Sequence, residues 1–189
     1  MGKNKVKFKL KKAAYAPATI TEDGTVAYET PIIMPGAVSI ALSPEGDTNT
    51  VKADGIDYYV ANSNNGYSGD LEMVLLPEEF LKYALGEIET NDDKVLVETT
   101  KSEPKPFALL FDFDANVKAI HNVMYLCYAS RYAIEGENPD SQEGKYEKVT
   151  IKAVPRADGY VKAKTGAETA ANVENGWYSS VYEPTQNNE

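Results

Sequence analysis

Residues 66–86 read GYSGDLEMVLLPEEFLKYALG, and the two halves of this stretch follow different periods. In the first half, Leu71, Met73 and Leu75 occupy every second position. A period of two is typical of a strand that buries one face. The stretch therefore begins as a predicted strand that leads into a different kind of element.

The second half of the stretch carries the only clear helix signal in the sequence. Pro77 suits the first helical position, and Gly86 suits a left-handed cap at the end. The apolar side chains at helical spacing between them are Phe80, Leu81, Ala84 and Leu85. A helix of about nine residues is marginal in isolation, so we expect one short helix over residues 77–85 that packs against a β structure.

The remaining sequence indicates strands joined by turns. We count about nine strands and find no internal repeat, which favours a mainly β fold of the sandwich or barrel type. Its 189 residues, 42% of them hydrophobic, predict a single domain over residues 1–189 that buries a sizeable core. Residues 167–189 form a small, polar C-terminal extension, and no apolar run is long enough for a membrane span.

Charge is unevenly distributed along the chain. The formal net charge is −10, which argues against nucleic-acid binding through a broad basic face. Residues 1–12 nevertheless hold six lysines and no acid, and these lysines alternate with Val6, Phe8 and Leu10. The pattern predicts a basic strand, either a solvated edge strand or an arm that docks on an acidic surface of another copy.

Residues 48–66 are the least globular part of the sequence. They contain few large aliphatic residues, three asparagines and the pair Tyr58-Tyr59. Long polar segments in a compact domain are usually functional or disordered, and tyrosine is enriched at interfaces. Two interpretations stay open: a flexible loop, or an extended loop or hairpin that makes contacts.

The residues that carry chemistry are few. His121 is the only histidine and Cys127 the only cysteine, and neither lies in a sequence typical of an activated nucleophile. Together they cannot build a typical zinc site. Asp112 and Asp114 point the same way on one predicted strand, where we expect them to be solvated. The sequence predicts no enzyme, no cofactor and no metal site.

Several ordered motifs carry a resemblance to a known family. They are KNKVKF at residues 3–8, PGAVSIALSPEGD at 35–47, NNGYSGDLE at 64–72, EPKPFALLF at 103–111, VKAKTG at 161–166 and WYSSVYEP at 177–184. With them, the chain resembles the major tail (tail tube) proteins of long-tailed bacteriophages and prophages of Gram-positive bacteria. The resemblance covers nearly the whole chain.

The resemblance implies a structural virion protein with no catalytic residues. It implies a β-sandwich with one flanking helix that forms hexameric rings, which stack into the tube that delivers the genome. Implied partners are other copies of the chain, a tape-measure protein, and tail terminator and distal tail proteins. Viral DNA would pass through the lumen without specific binding, and lumen carboxylates would repel its phosphates. The implied location is the virion tail, reached from the host cytoplasm during assembly.

Contacts between subunits are expected from the polar segment and from both ends of the chain. The candidate residues are Lys5, Lys7, Lys9, Asp54, Tyr58, Tyr59, Asn64, Asn65, Trp177, Tyr178 and Tyr182. The alternative is a monomeric β-sandwich that binds a carbohydrate or a cell surface. Such a module would present a cluster of exposed aromatic side chains, which Tyr58, Tyr59, Trp177 and Tyr178 could supply.

Overall fold

The computed structural model describes residues 3–136 and 145–185 of the chain and confirms a mainly β fold. Its strands are β1 (Lys7–Ile20), β2 (Val26–Tyr28), β3 (Ile32–Met34), β4 (Ala37–Glu45), β5 (Thr48–Ala53), β6 (Ile56–Asn62), β7 (Gly66–Met73), β8 (Ile88–Glu89), β9 (Leu96–Val97), β10 (Phe107–Ala115), β11 (Ile120–Ala129), β12 (Glu147–Ala153) and β13 (Lys162–Lys164). Its helices are α1 (Glu78–Phe80), which continues as a π-helical turn (Leu81–Leu85), and α2 (Ala171–Gly176). The thirteen described strands exceed the predicted nine because several are only two or three residues long.

Most strands belong to one antiparallel sheet. Its order is β2-β1-β10-β11-β12-β7-β4, with β3 also paired to β1 and β13 to β11. The strands β1 and β4 lie far apart in this order and yet contact each other, so the sheet curls around an interior. Two small hairpins, β5–β6 and β8–β9, form separate two-stranded sheets.

The predicted helix closes this interior. All four of its predicted apolar side chains are buried, and Phe80 packs edge-on against Tyr15 and Phe107 with ring centroids 5.2 and 5.4 Å away. The Tyr83 hydroxyl accepts a hydrogen bond from the Ala18 N–H at 2.9 Å and donates to the Pro106 carbonyl. The helix therefore braces β1 against the start of β10.

Three details at this stretch differ from the sequence prediction or refine it. Pro77 is extended, with ψ 136°, and precedes the helix instead of forming its first residue. The strand ends at Met73, so Leu75 is 68% exposed and was wrongly placed on the buried face. Gly86 has a left-handed φ of 72°, which confirms the predicted cap.

The central strand β1 is buried on both faces. Every residue from 13 to 18 is buried, and β1 pairs there with Phe107–Phe111 of β10. Ala13 and Tyr15 face the interior, whereas Ala14 and Ala16 face a second core with Leu110 and Tyr125. A strand buried on both faces loses the alternation of a half-buried strand, which explains why its centre was hard to interpret from sequence.

The second core is covered by the end of the chain, which we call the C-terminal strap (residues 165–185). Trp177 and Val181 are buried there, and Tyr178 and Tyr182 are partly buried against the same cluster. The strap contains α2, which the sequence did not predict, because Val173 is its only large aliphatic residue. Of the predicted polar extension over residues 167–189, residues 167–185 belong to the strap and pack on the sheet, and residues 186–189 lie outside the described part of the chain.

Charged side chains fasten the strap to the sheet. Arg156 donates to the Glu183 carboxylate at 2.8 and 2.9 Å, and Lys118 pairs with Glu174. The Arg156 guanidinium is largely buried and lies over the ring of Tyr125, 5.2 Å from its centroid. Because Arg156 is shielded from solvent, its pair with Glu183 contributes more than a fully exposed ion pair would.

Removing the indole that the strap inserts tests this assignment. For Trp177→Ala we expect the free energy of unfolding to fall by about 3–5 kcal/mol, because a large buried side chain leaves a cavity. Tyr58→Ala is the matched control, since Tyr58 is 74% exposed, and its effect on the monomer should stay within about 0.5 kcal/mol. Urea unfolding followed by circular dichroism measures both. Equal effects would show that the strap is not part of the core.

The buried thiol predicts a pH dependence of stability. Burial raises the pKa of Cys127 from 9.0 to about 12, so between these values the unfolded chain binds fewer protons than the folded chain. The free energy of unfolding should therefore fall as pH rises through this window, by up to about 1.4 kcal/mol per pH unit for this group. Cys127→Ala should fall less steeply over the same range in urea titrations. Parallel curves would contradict the assignment.

Candidate assembly surfaces

Most of the polar segment at residues 48–66 is a hairpin. In this hairpin, Thr48 of β5 lies opposite Asn62 of β6 at the base, and Ala53 lies opposite Ile56 at the tip. Asp54 and Gly55 form the turn, with φ values of 54° and 79°. Positive φ at both central residues is the geometry of a type I′ turn, which favours Asp-Gly. The segment therefore forms an extended hairpin, and its contacts with another molecule stay a prediction.

The hairpin has one apolar and one polar face. Directly paired residues share a face, so the Val51–Tyr59 and Ala53–Ile56 pairs lie on one side. The other face carries the polar residues Thr50, Lys52 and Asp57 together with one apolar residue, Val60. Val51 pairs with Tyr59 and the next residue, Lys52, pairs with Asp57. Tyr58 between them has no partner and is therefore the extra residue of a β-bulge.

The apolar face of this hairpin lies open to solvent. Val51, Ile56 and Tyr59 are 57%, 64% and 62% exposed. The hydrogen bonds and ion pair described for β5 and β6 join these two strands to each other. A lone two-stranded hairpin is marginally stable in water, so a second surface that covers this face would stabilise it.

The base of the hairpin is well fixed to the sheet. Asp47 and Ser63 exchange hydrogen bonds there, and the Asn64 side chain accepts from the Gly66 N–H at 3.1 Å. The Asn65 N–H donates to the carbonyl of Glu45. Asn64 and Asn65 are exposed at this base, where their side chains are open to another molecule.

The basic N-terminal segment is held by its own chain. Asn116 accepts hydrogen bonds from the N–H groups of Lys5 and Val6, and β1 pairs with β10 from Lys7 onward. Of the basic strand predicted over residues 1–12, the part from Lys7 onward is a strand, residues 3–6 are not, and residues 1–2 lie outside the described part of the chain. Val6 and Phe8 are both more than half exposed. Lys5, Lys7 and Lys9 are exposed. Their intersubunit role therefore stays a prediction.

The three aromatic candidates at the C-terminal end lie within their own chain. Trp177 is 2% exposed and stacks on His121 and Tyr182, each 5.7 Å away between ring centroids. The ring of Tyr178 lies 3.9 Å from the ammonium of Lys12. Their main contacts hold the strap to the sheet, which leaves Trp177 almost no surface to offer another subunit.

The expected solvated position of Asp112 is wrong. Asp112 is 5% exposed and lies 2.7 Å from the imidazole Nδ1 of His121. Burial, then the neighbouring Asp112, raises the pKa of the Tyr178 hydroxyl above its ordinary value. The strap, which the sequence did not place over β10 and β11, is what removes Asp112 from solvent. Asp114 remains partly exposed and lies 4.0 Å from Lys11.

The cysteine and the histidine of the chain lie in different parts of the fold. Cys127 lies in the interior core, whereas His121 lies under the strap against the second core. Among the described residues, no cluster of three acidic, cysteine or histidine side chains is placed to hold a metal ion. No helix in residues 3–136 or 145–185 is long and apolar enough to cross a membrane.

The sequence interpretation missed Val51 and Ile56 as surface residues of the hairpin. A signal was present, because an Asp-Gly dipeptide such as Asp54-Gly55 favours a tight hairpin turn. With the turn fixed at residues 54–55, the pairing places both side chains on the face of Tyr59.

No protein-family model matches the chain, and no curated protein shows significant similarity to it.

Proposed function

We propose that the chain is a structural subunit that self-assembles into rings and stacked rings, as in a phage tail tube that conducts the genome. The observation that carries this proposal is the amphipathic β5–β6 hairpin, whose apolar face is open to solvent. A soluble monomer gains nothing from exposing such a face, whereas an assembly buries it. The motifs shared with tail tube proteins of Gram-positive phages support the same function.

The edges of the main sheet also favour assembly. Among the described strands, β4 ends the sheet order and forms backbone hydrogen bonds only with β7, so its other edge carries no paired strand. Unpaired strand edges are templates for pairing with another chain. In a ring, an edge of one subunit meets a different surface of the next, which is the heterologous contact that closes on itself.

The rival function, carbohydrate or cell-surface binding by a monomer, loses its main support. It needs a cluster of exposed aromatic side chains, and Tyr58 and Tyr59 do lie exposed on the hairpin. Trp177 is buried in the second core and Tyr178 packs there too. The four aromatic residues therefore do not form one exposed binding surface.

Polar substitution of the apolar hairpin face tests the proposal. For Val51→Ser/Ile56→Ser/Tyr59→Ser we expect tubes and rings to disappear from electron micrographs of concentrated protein or of phage lysates complemented with the variant. Each of the three side chains is at least half exposed, so the thermal unfolding of the monomer should stay close to that of the unaltered chain.

The control changes the opposite face of the same hairpin. Lys52→Gln/Asp57→Asn removes the exposed ion pair of the polar face, which contributes little to stability. This variant should assemble normally. Normal tubes from the apolar-face variant would contradict the proposed role of the hairpin. A monomeric state of the unaltered chain in both settings would contradict self-assembly.

A further inference from the structure

We infer that a groove between β4, β7 and the β10–β11–β13 region receives the hairpin tip of a second copy of the chain. This inference rests on the proposed self-assembly and names the surface that completes it. The groove has a volume of about 340 Å³, and among the residues that line it are Lys7, Ile40, Leu42, Tyr67, Phe113 and Lys162. That volume lies within the range of clefts that bind ligands.

The floor and the rim of the groove differ in chemistry. Ile40, Leu42 and Phe113 are partly buried and extend the interior core to the surface. Two exposed lysines stand at the rim, each held over an aromatic ring. Lys7 Nζ lies 4.0 Å from the centroid of Phe113, and Lys162 Nζ lies 4.3 Å from that of Tyr67, to whose hydroxyl it donates at 2.6 Å. The groove therefore suits an apolar group flanked by negative charge.

The hairpin tip presents this combination. Ile56 is 64% exposed and lies directly after the turn, with Asp54 and Asp57 on either side of it in sequence. Lys52 pairs with Asp57 at 3.6 Å, which leaves the tip with a net negative charge through Asp54. Insertion of Ile56 between Lys7 and Lys162 would bury apolar surface and bring opposite charges together.

The tip and the groove that it fills belong to different copies. The hairpin leaves the sheet at Gly66, directly beside Tyr67 of the groove. A strand of six or seven residues carries its tip about 20 Å away from that base. Because tip and groove are different surfaces, each copy offers one of each, and the contact propagates from copy to copy into a ring or a filament.

Cysteine cross-linking between full-length chains tests the contact directly. Ile56→Cys and Lys162→Cys chains are mixed at assembling concentration and oxidised, and dimers are scored on a non-reducing gel. The native Cys127 is fully buried and does not compete. We expect dimers from this mixture, but at least about tenfold fewer when Lys164→Cys replaces Lys162→Cys, since Lys164 does not line the groove.

Charge reversal gives a second, independent measurement. Lys7→Glu/Lys162→Glu should raise the concentration needed for assembly at least about tenfold, and adding Asp54→Lys should restore part of the loss. The matched control is Lys11→Glu/Lys164→Glu, which changes the same strands by the same charge at positions that do not line the groove and should assemble normally.

Failure of the groove and failure of self-assembly give different results. The chain could form tubes in electron micrographs without giving the cross-link, while Lys7→Glu/Lys162→Glu assembles normally. That result would overturn the groove as the docking site and leave the proposed function standing. Absence of both tubes and cross-links would overturn both. Two results together would support the groove as the docking site. The cross-link forms with Lys162→Cys but not with Lys164→Cys, and the charge exchange restores assembly.

Discussion

The fold depends on the burial of the β1–β10 strand pair on both of its faces. On one face of this pair, the small side chains of the alanines at positions 14, 16 and 108 leave space for the indole of Trp177. On the other face, larger side chains such as Tyr15 and Leu109 form the interior core, where Phe80 of the helix packs against Tyr15. A single strand pair therefore joins the interior core to the core beneath the strap.

This arrangement leaves the hairpin as the exposed apolar feature with the clearest need for a partner. The helix covers one core and the strap covers the other, so both cores are covered by the chain itself. The β5–β6 hairpin projects from β4 and β7 with its apolar face in solvent. The same two strands line the lysine-rimmed groove, so one region of the sheet carries both halves of the proposed contact.

The strap changes the meaning of several residues that looked like surface features. Asp112 becomes the buried partner of a partly buried His121, and Trp177 becomes a core residue. Arg156 and Glu183 fasten the end of the described chain. An isolated tryptophan in a polar segment gives no periodicity, so sequence patterns could not show that it packs on a sheet about 60 residues earlier in the chain.

The sequence by itself determined the elements whose signals are local. A period-two run placed β7, and Pro77 with Gly86 bracketed the helix and its four buried side chains. The Asp54-Gly55 dipeptide also carries a local signal for the hairpin turn, which the sequence interpretation did not use. These features depend on neighbouring residues, whose backbone preferences and spacing are written in the sequence.

Only the tertiary structure decided which apolar and charged side chains are covered. It placed the strap over β10 and β11, buried Asp112, ended β7 before Leu75, and left Val51 and Ile56 in solvent. It also brought Lys7 and Lys162, which are 155 positions apart, to the rim of one groove. Such placements depend on which surfaces meet after the chain has folded, because burial is a property of long-range packing and not of local pattern.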